Sequence, residues 1–248
     1  MKKILIVMVL FFVIVGCKVE NPPTKSDAKT EYIVAASNLK EQKSIDMKMK
    51  MSIAVEGNED YEDMGDIILD IKYLHNDEPT KVKASMNMAM GELAFSYYLS
   101  EGMFYIDSFG YKLKQAMDDE SIEAFSFKEI TTNIIENDSF LKHIKESKDG
   151  DNTVLTIELN SHEEIVAVFK EINNETIGDL TTENVEFENL FVEMVINKNS
   201  EMVSYILRSS SIEKELNEKS TIEITIDVNA YGSNVKVDIP DLSEYVEQ

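Results

Sequence analysis

Apolar and polar residues alternate at period two over much of the first half of the chain. The alternating segments are residues 45–55, 67–73, 82–90 and 93–99, and two shorter strands are predicted at 103–106 and 111–114. Successive side chains of a strand point to opposite faces, so each segment predicts a strand with one apolar face. The connections between the strands are short, which predicts antiparallel pairing.

The period changes to a helical one in three places. Tyr32, Ala35, Ala36 and Leu39 share one face of a predicted helix over residues 26–43. Ser26 or Asp27 is expected to cap this helix. Residues 118–148 lose the strand pattern and carry apolar residues at roughly helical spacing, which predicts one or two helices.

A capping box precedes the third helical segment. Ser161 is the expected N-cap and Glu164 the residue three positions later, ahead of a helix over residues 162–173. Strands are predicted around it and after it, at residues 153–160, 185–197, 202–211, 220–231 and 234–239, with a final helical turn at 241–247.

The order of these elements predicts the α+β class. We expect a curved antiparallel sheet, an open half-barrel, with helices packed on its concave face. Residues 30–248 are expected to form a single domain, since more than 200 residues can bury one core without disulfides.

The first 16 residues have the order of parts found in a secretory signal. Lys2 and Lys3 precede an apolar run over residues 4–15, and Gly16 is the small residue at the expected cleavage position. The apolar run is shorter than the roughly 20 residues that a transmembrane helix needs.

The sole cysteine, Cys17, follows directly, and Ile14-Val15-Gly16-Cys17 resembles the bacterial lipobox. The resemblance implies a signal peptide over residues 1–16 and a lipid on the Cys17 thiol, which would hold the protein on the extracytoplasmic face of a cell membrane. Residues 17–29 would be a flexible tether, with a reach of about 40 Å. The alternatives are an ordinary cleaved signal and an uncleaved membrane anchor.

The charge of the chain restricts its partners. There are 47 acidic and 24 basic residues, a formal net charge of −23, and loss of Lys2 and Lys3 makes it more negative. Nucleic acid is excluded as a partner, because phosphate binding requires basic patches. Anionic lipid would repel the folded body, so the covalent lipid must supply the anchoring.

The motifs of common enzymes are missing from the sequence. There is no G-x-S-x-G, P-loop, G-x-G-x-x-G or H-E-x-x-H. His75, His143 and His162 are scattered without metal-ligand spacing, which favours solvated side chains. The acidic stretch 58–63 does not match a calcium loop. We therefore expect no enzyme, no catalytic residues, no metal and no cofactor.

Two strands carry three methionines each on one face: Met47, Met49 and Met51, then Met86, Met88 and Met90. Thioethers suit Cu(I), so a copper site is one interpretation. A filled core is a second, because methionine packs well in irregular apolar spaces. The third is an apolar cavity lined by these methionines together with Phe95 and Tyr97. Periodicity does not separate the last two.

Four segments resemble the LolA/LppX-type carriers of lipids and lipoproteins. These are the helix Tyr32-Ile33-Val34-Ala35-Ala36-Ser37-Asn38-Leu39, the strand Ser100-Glu101-Gly102-Met103-Phe104-Tyr105-Ile106, the hairpin entry Val192-Glu193-Met194-Val195-Ile196-Asn197-Lys198-Asn199, and the closing strands over 222–231 and 235–240. Asn197 stands where that group usually has aspartate.

The resemblance implies a half-barrel around an apolar space, without catalytic residues. It favours a membrane-anchored lipoprotein that binds or transfers an apolar ligand such as a lipid. The alternative is a surface scaffold or partner-binding lipoprotein with a filled core.

Overall fold

The structure is a computed structural model that describes residues 27–56, 65–75, 78, 81–118, 141–172 and 184–247. Gly16, Cys17 and the predicted signal peptide lie outside the described residues. So do the acidic stretch 58–63 and most of the helical segment predicted between residues 118 and 148.

Most described residues lie in strands of one open sheet. The strands are β1 (Ser44–Glu56), β2 (Ile67–Leu74), β3 (Lys83–Met90), β4 (Leu93–Ser100), β5 (Met103–Ser108), β6 (Tyr111–Ala116), β7 (Lys145–Asp149), β8 (Asn152–Leu159), β9 (Val185–Ile196), β10 (Met202–Glu213), β11 (Glu218–Tyr231) and β12 (Val246–Glu247). Their hydrogen-bonded order is β12-β6-β5-β4-β3-β2-β1-β11-β10-β9-β8-β7. This strand-rich architecture, with two helices among the described residues, agrees with the predicted α+β class.

The pairing is antiparallel from β1 to β6 and from β7 to β10. The exception is β12, which pairs with β6 in parallel, with Val246 opposite Leu113. The expectation of a purely antiparallel sheet is therefore wrong at this edge. A two-residue strand leaves no periodic signal, so the sequence could not reveal it.

The chain divides into two compact units. Among the described residues, unit 1 contains 27–41, 52–56, 141–172 and 184–225. Unit 2 contains 42–51, 65–75, 78, 81–118 and 226–247. The expectation of a single domain over residues 30–248 stays a prediction.

Unit 1 has a core between sheet and helices. The helices are α1 (Ala28–Glu41), which contacts β10, and α2 (His162–Ile172), which packs on β9. The buried side chains of the strands alternate as predicted; they include Leu155, Ile157 and Leu159 of β8, Val192, Met194 and Ile196 of β9, and Tyr205 and Leu207 of β10. Tyr32, Ala35, Ala36 and Leu39 of α1 and Ile165 and Val168 of α2 are buried as well.

Both helices begin at the predicted caps. The Thr30 amide donates a hydrogen bond of 2.8 Å to Asp27 Oδ1, and this bond lowers the pKa of the Asp27 carboxyl. The Glu164 amide donates to Ser161 Oγ over 3.2 Å. The side-chain oxygens thus satisfy amides that have no partner inside a helix, which fixes where each helix starts.

Two sequence-based expectations about element type are wrong. Lys145–Asp149 is strand β7, although a helix was expected up to about residue 148. All five of its residues are exposed, so it lacks the apolar alternation that would reveal a strand. Residues 235–239 alternate like a strand but form no ladder, and they follow a 3₁₀ turn at Gly232–Asn234. Val235 is buried there without strand pairing.

Candidate functional site

The pairing registers of unit 2 bring the predicted apolar residues onto one face of the sheet. Met47 lies opposite Ile71, Ile71 opposite Met86, and Met86 opposite Tyr97. Directly opposed residues of antiparallel strands project to the same side. These four side chains therefore form one continuous row across β1, β2, β3 and β4.

Two further rows run beside the first. Met49, Leu69, Met88 and Phe95 form the second row, and Met51, Ile67, Met90 and Leu93 form the third. We call the three rows together the methionine face. All eight residues predicted to line a cavity lie on it. The structure thus brings the predicted residues together, whereas their lining of a cavity stays a prediction.

Exposure of the methionine face increases from β1 toward β4. Met47, Met49 and Met51 of β1 are 4–7% exposed. The methionines of β3 are half-buried, and Leu93 at the start of β4 is 38% exposed. The part on β3 and β4 is therefore accessible to an apolar molecule, whereas the part on β1 is shielded.

Aromatic rings extend the methionine face toward β5 and β6. Tyr97 stacks on Phe104, with ring centroids 6.0 Å apart and an angle of 13° between the planes. Phe95 meets Phe109 edge-to-face at 5.1 Å. Flat rings on a sheet give a ligand extended apolar contact with little side-chain entropy to lose.

The opposite face of the same strands is polar. One row there consists of Lys48, Asp70, Asn87, Ser96, Asp107 and Lys112. The Ser96 hydroxyl donates a hydrogen bond of 2.7 Å to Asn87 Oδ1. Unit 2 is therefore amphipathic across its sheet, and its apolar side chains are concentrated on one side.

The C-terminal segment covers part of this polar side. Tyr245 is buried, with its ring edge-to-face against Tyr105 at 5.3 Å. Lys112 Nζ is 2.5 Å from Glu244 Oε2, and this contact raises the pKa of the lysine. Burial, followed by the nearby Asp107 charge, raises the pKa of Tyr245 to about 12.

The positions of the methionines do not favour a copper site. The backbone positions of methionines two residues apart on one strand are separated by about 7 Å. Strands β1 and β3 are about 10 Å apart because β2 lies between them. Ile67, Leu69 and Ile71 of β2 occupy that interval. The methionines are therefore spread over an apolar surface, and their backbone positions do not form the compact cluster that a copper site would need.

Two histidines are more ordered than the expected solvated side chains. His162 Nδ1 accepts a hydrogen bond of 3.1 Å from the Phe187 amide, and the two rings stack at 6.0 Å. His75 Nδ1 is 3.2 Å from the Tyr73 hydroxyl. Within the described ranges, no three or more His, Cys, Asp or Glu side chains are grouped so that they could hold a metal ion.

Sequence reasoning missed one exposed apolar group at the edge of the methionine face. Leu93, Phe109 and Tyr111 are 38%, 65% and 72% exposed. Phe109-Gly110 joins β5 to β6, so the signal was present in the sequence as a phenylalanine placed in a tight turn.

The comparisons place the chain in a family without assigning it an activity. A model of DUF6612, a family of unknown function, matches residues 29–241. The chain belongs to this family. No curated protein matches it.

LprF is among the solved structures with a distant likeness to the chain. LprF from Mycobacterium bovis superposes with a TM-score of 0.42 at 9% identity, over 87% of this chain and 96% of that one. A TM-score of this size is too low to carry an argument.

Across the described residues, neither helix is long and apolar enough to cross a bilayer.

Proposed function

We propose that this protein is a membrane-anchored bacterial lipoprotein that binds or transfers an apolar ligand such as a lipid and catalyses no reaction. One observation carries the proposal. The registers of β1 to β4 assemble a continuous apolar face, and this face becomes accessible at β3 and β4. Ligand sites for apolar molecules are lined mainly by hydrophobic and aromatic side chains, as this face is.

The composition of the methionine face suits a ligand of variable shape. Methionine has three rotatable bonds and a polarisable sulfur, so a methionine surface adapts to different apolar partners. The aliphatic row of β2 and the rings of Phe95 and Tyr97 add contact area. Acyl chains differ in length and unsaturation, and an adaptable surface accommodates such differences.

The proposed anchor supplies the location. A diacylglyceryl group on Cys17 would keep the protein at the extracytoplasmic surface of a cell membrane, where lipid is at hand. Two or more acyl chains hold a protein on a bilayer for long times, whereas one chain binds marginally. The LolA/LppX-like half-barrel, with helices over its concave side, belongs to the same proposal.

The test is native mass spectrometry of the mature protein purified from its own membrane in mild detergent. We expect a co-purifying lipid in addition to the covalent one. Met88→Glu should abolish it, because a carboxylate in the middle of the methionine face makes apolar contact costly.

Ala89→Glu is the matched control. Ala89 neighbours Met88 on β3, is half-buried like it, and lies on the opposite face of the sheet. Lipid should be retained in Ala89→Glu, with circular dichroism confirming that both variants are folded. Equal retention in the two variants would show that the lipid is bound elsewhere.

The rival function is a scaffold or partner-binding lipoprotein with a filled core. It predicts an empty wild-type protein that also leaves a fluorescent fatty acid unbound. The shielding of Met47, Met49 and Met51 is the observation in its favour, because side chains that are 4–7% exposed are those of a packed core.

A further inference from the structure

Three exposed apolar side chains project at one end of unit 2. Leu93 begins β4, and Phe109 and Tyr111 lie at the turn between β5 and β6. Ser108, at the end of β5, pairs with both Phe95 and Tyr111, so this end of the methionine face continues directly into the turn. We call Leu93, Phe109 and Tyr111 the aromatic tip.

The turn holds Phe109 in a backbone conformation that phenylalanine disfavours. Phe109 has φ +52° and Gly110 φ +80°. Two central residues with positive φ are the pattern of a type I′ hairpin turn, which prefers Asn-Gly. A bulky residue at positive φ is a genuine outlier, and such strain is retained where the side chain serves a purpose.

The neighbouring hairpin, formed by β4 and β5, offers an internal comparison. Glu101 and Gly102 join β4 to β5 with φ +53° and +74°, close to the values of the Phe109 turn. There an exposed, charged side chain occupies the first position. The turn geometry therefore accepts a polar residue in this protein, so the backbone conformation does not require phenylalanine at position 109.

Two lysines of unit 2 are paired with carboxylates. Lys50 binds Asp66 at 2.8 Å, and Lys112 binds Glu244 at 2.5 Å. Exposed apolar rings match the interface of a bilayer, where aromatic side chains bury their rings.

We propose that the aromatic tip inserts into the interfacial region of the phospholipid bilayer. The choice of a bilayer as the occupant rests on the proposed lipid anchor, since a tethered domain meets the membrane surface at high effective concentration. The tip is continuous with the methionine face through Phe95, so an inserted tip would offer an acyl chain an apolar path onto that face.

The chain contains no tryptophan, so one introduced indole reports its own environment without background. The experiment uses the mature lipidated protein in phosphatidylcholine vesicles with brominated acyl chains. We expect a blue-shifted emission and strong quenching for Phe109→Trp. Glu101→Trp is the matched control, because Glu101 has nearly the same φ and lies at the opposite end of β5. It should emit as in water.

Two results would overturn the proposal. One is a water-like, unquenched emission from Phe109→Trp in vesicles. The other is a blue shift that grows with protein concentration without lipid, which would make a second copy of this chain the occupant. Phe109→Asn adds a check on folding, because asparagine tolerates this φ. Its thermal midpoint should equal or exceed that of the wild type, and a marked drop would give Phe109 a structural role instead.

This experiment and the test of the proposed function fail separately. Quenching reports on the tip even when the methionine face is empty. Loss of co-purifying lipid in Met88→Glu reports on the face even when the tip stays in water.

Discussion

Tyr32 of α1 and Tyr205 of β10 bring two phenol side chains together in the core of unit 1, where they are 0% and 1% exposed. Burial raises the pKa of the Tyr205 hydroxyl, and a hydrogen bond with the Tyr32 side chain partly offsets this rise. The contact ties α1 to the sheet. An unsatisfied buried polar group is costly, so the proximity of the two hydroxyls makes each sensitive to removal of the other.

Removing both of these hydroxyls should destabilise the protein by less than the sum of the two single removals. Tyr205→Phe leaves the Tyr32 hydroxyl in an apolar site, so we expect a loss of about 1–3 kcal/mol in the free energy of unfolding. The double variant with Tyr32→Phe should lose clearly less than the sum of the single losses. Urea unfolding of the four proteins measures the coupling, and strictly additive losses would show that the hydroxyls act independently.

Ionisation of Tyr245 should reduce the stability of the folded protein at high pH. Its pKa is raised to about 12, whereas tyrosine in an unfolded chain titrates near 10. The folded state thus holds the phenol proton more tightly, so this stabilisation is present below about pH 10 and is lost as the pH rises toward 12.

We therefore expect the stability of the wild type to fall between about pH 10 and 12, and to fall less in Tyr245→Phe, which has no phenol to ionise. Absorbance of tyrosinate near 295 nm and thermal melts at each pH measure the two effects. Tyr73 and Tyr205 also have raised pKa values and contribute to both proteins alike. An identical loss in the two proteins would assign the effect to those residues.

The sequence predicted the strands that bury one face, but it did not predict the fully exposed strand β7. Along β1 the buried residues Met47, Met49 and Met51 alternate with exposed Lys48 and Lys50. Burial of one face therefore produces the alternating apolar pattern from which a strand is predicted. In β7 every residue is exposed, so nothing selects apolar residues and the period vanishes. Edge position therefore explains why this strand was missed.

The sequence predicted which residues belong to the candidate site, but it did not predict how they assemble into one surface. Period two puts Met47 and Met49 on one side of β1, but the row from Met47 to Tyr97 depends on the registers of three strand pairs. A shift of one residue in any pair would send a strand's methionines to the polar side. Exposure of Leu93 and Tyr111 depends on where the sheet ends, which no local pattern encodes.

Replacing methionine by leucine separates apolar contact from sulfur chemistry. Met86→Leu, Met88→Leu and Met90→Leu together keep the volume and apolar character of β3, so we expect each to change stability by less than about 1.5 kcal/mol. Lipid retention should persist in this triple variant. Titration with Cu(I) should give the same weak response as the wild type. A tight copper site present in the wild type and lost in the variant would support the metal-binding interpretation.

Cys17 decides whether the protein is anchored as proposed. The expected mature chain begins at a lipid-modified Cys17, so its intact mass after detergent extraction should lack residues 1–16 and carry added diacylglyceryl and acyl mass. Cys17→Ala removes the thiol that would form the thioether bond to the proposed lipid. Because the acidic folded body is repelled by anionic lipid, this variant should leave the membrane fraction almost completely.

Cys17→Ser is the second variant for this prediction, because serine keeps the size of the side chain but has no thiol. It should behave like Cys17→Ala. Membrane retention of both variants at the wild-type level would point to an uncleaved apolar segment over residues 4–15, and intact mass would then show the full-length chain. Release of wild-type protein with an unmodified Cys17 would instead indicate an ordinary cleaved signal, and the proposed anchor would be wrong.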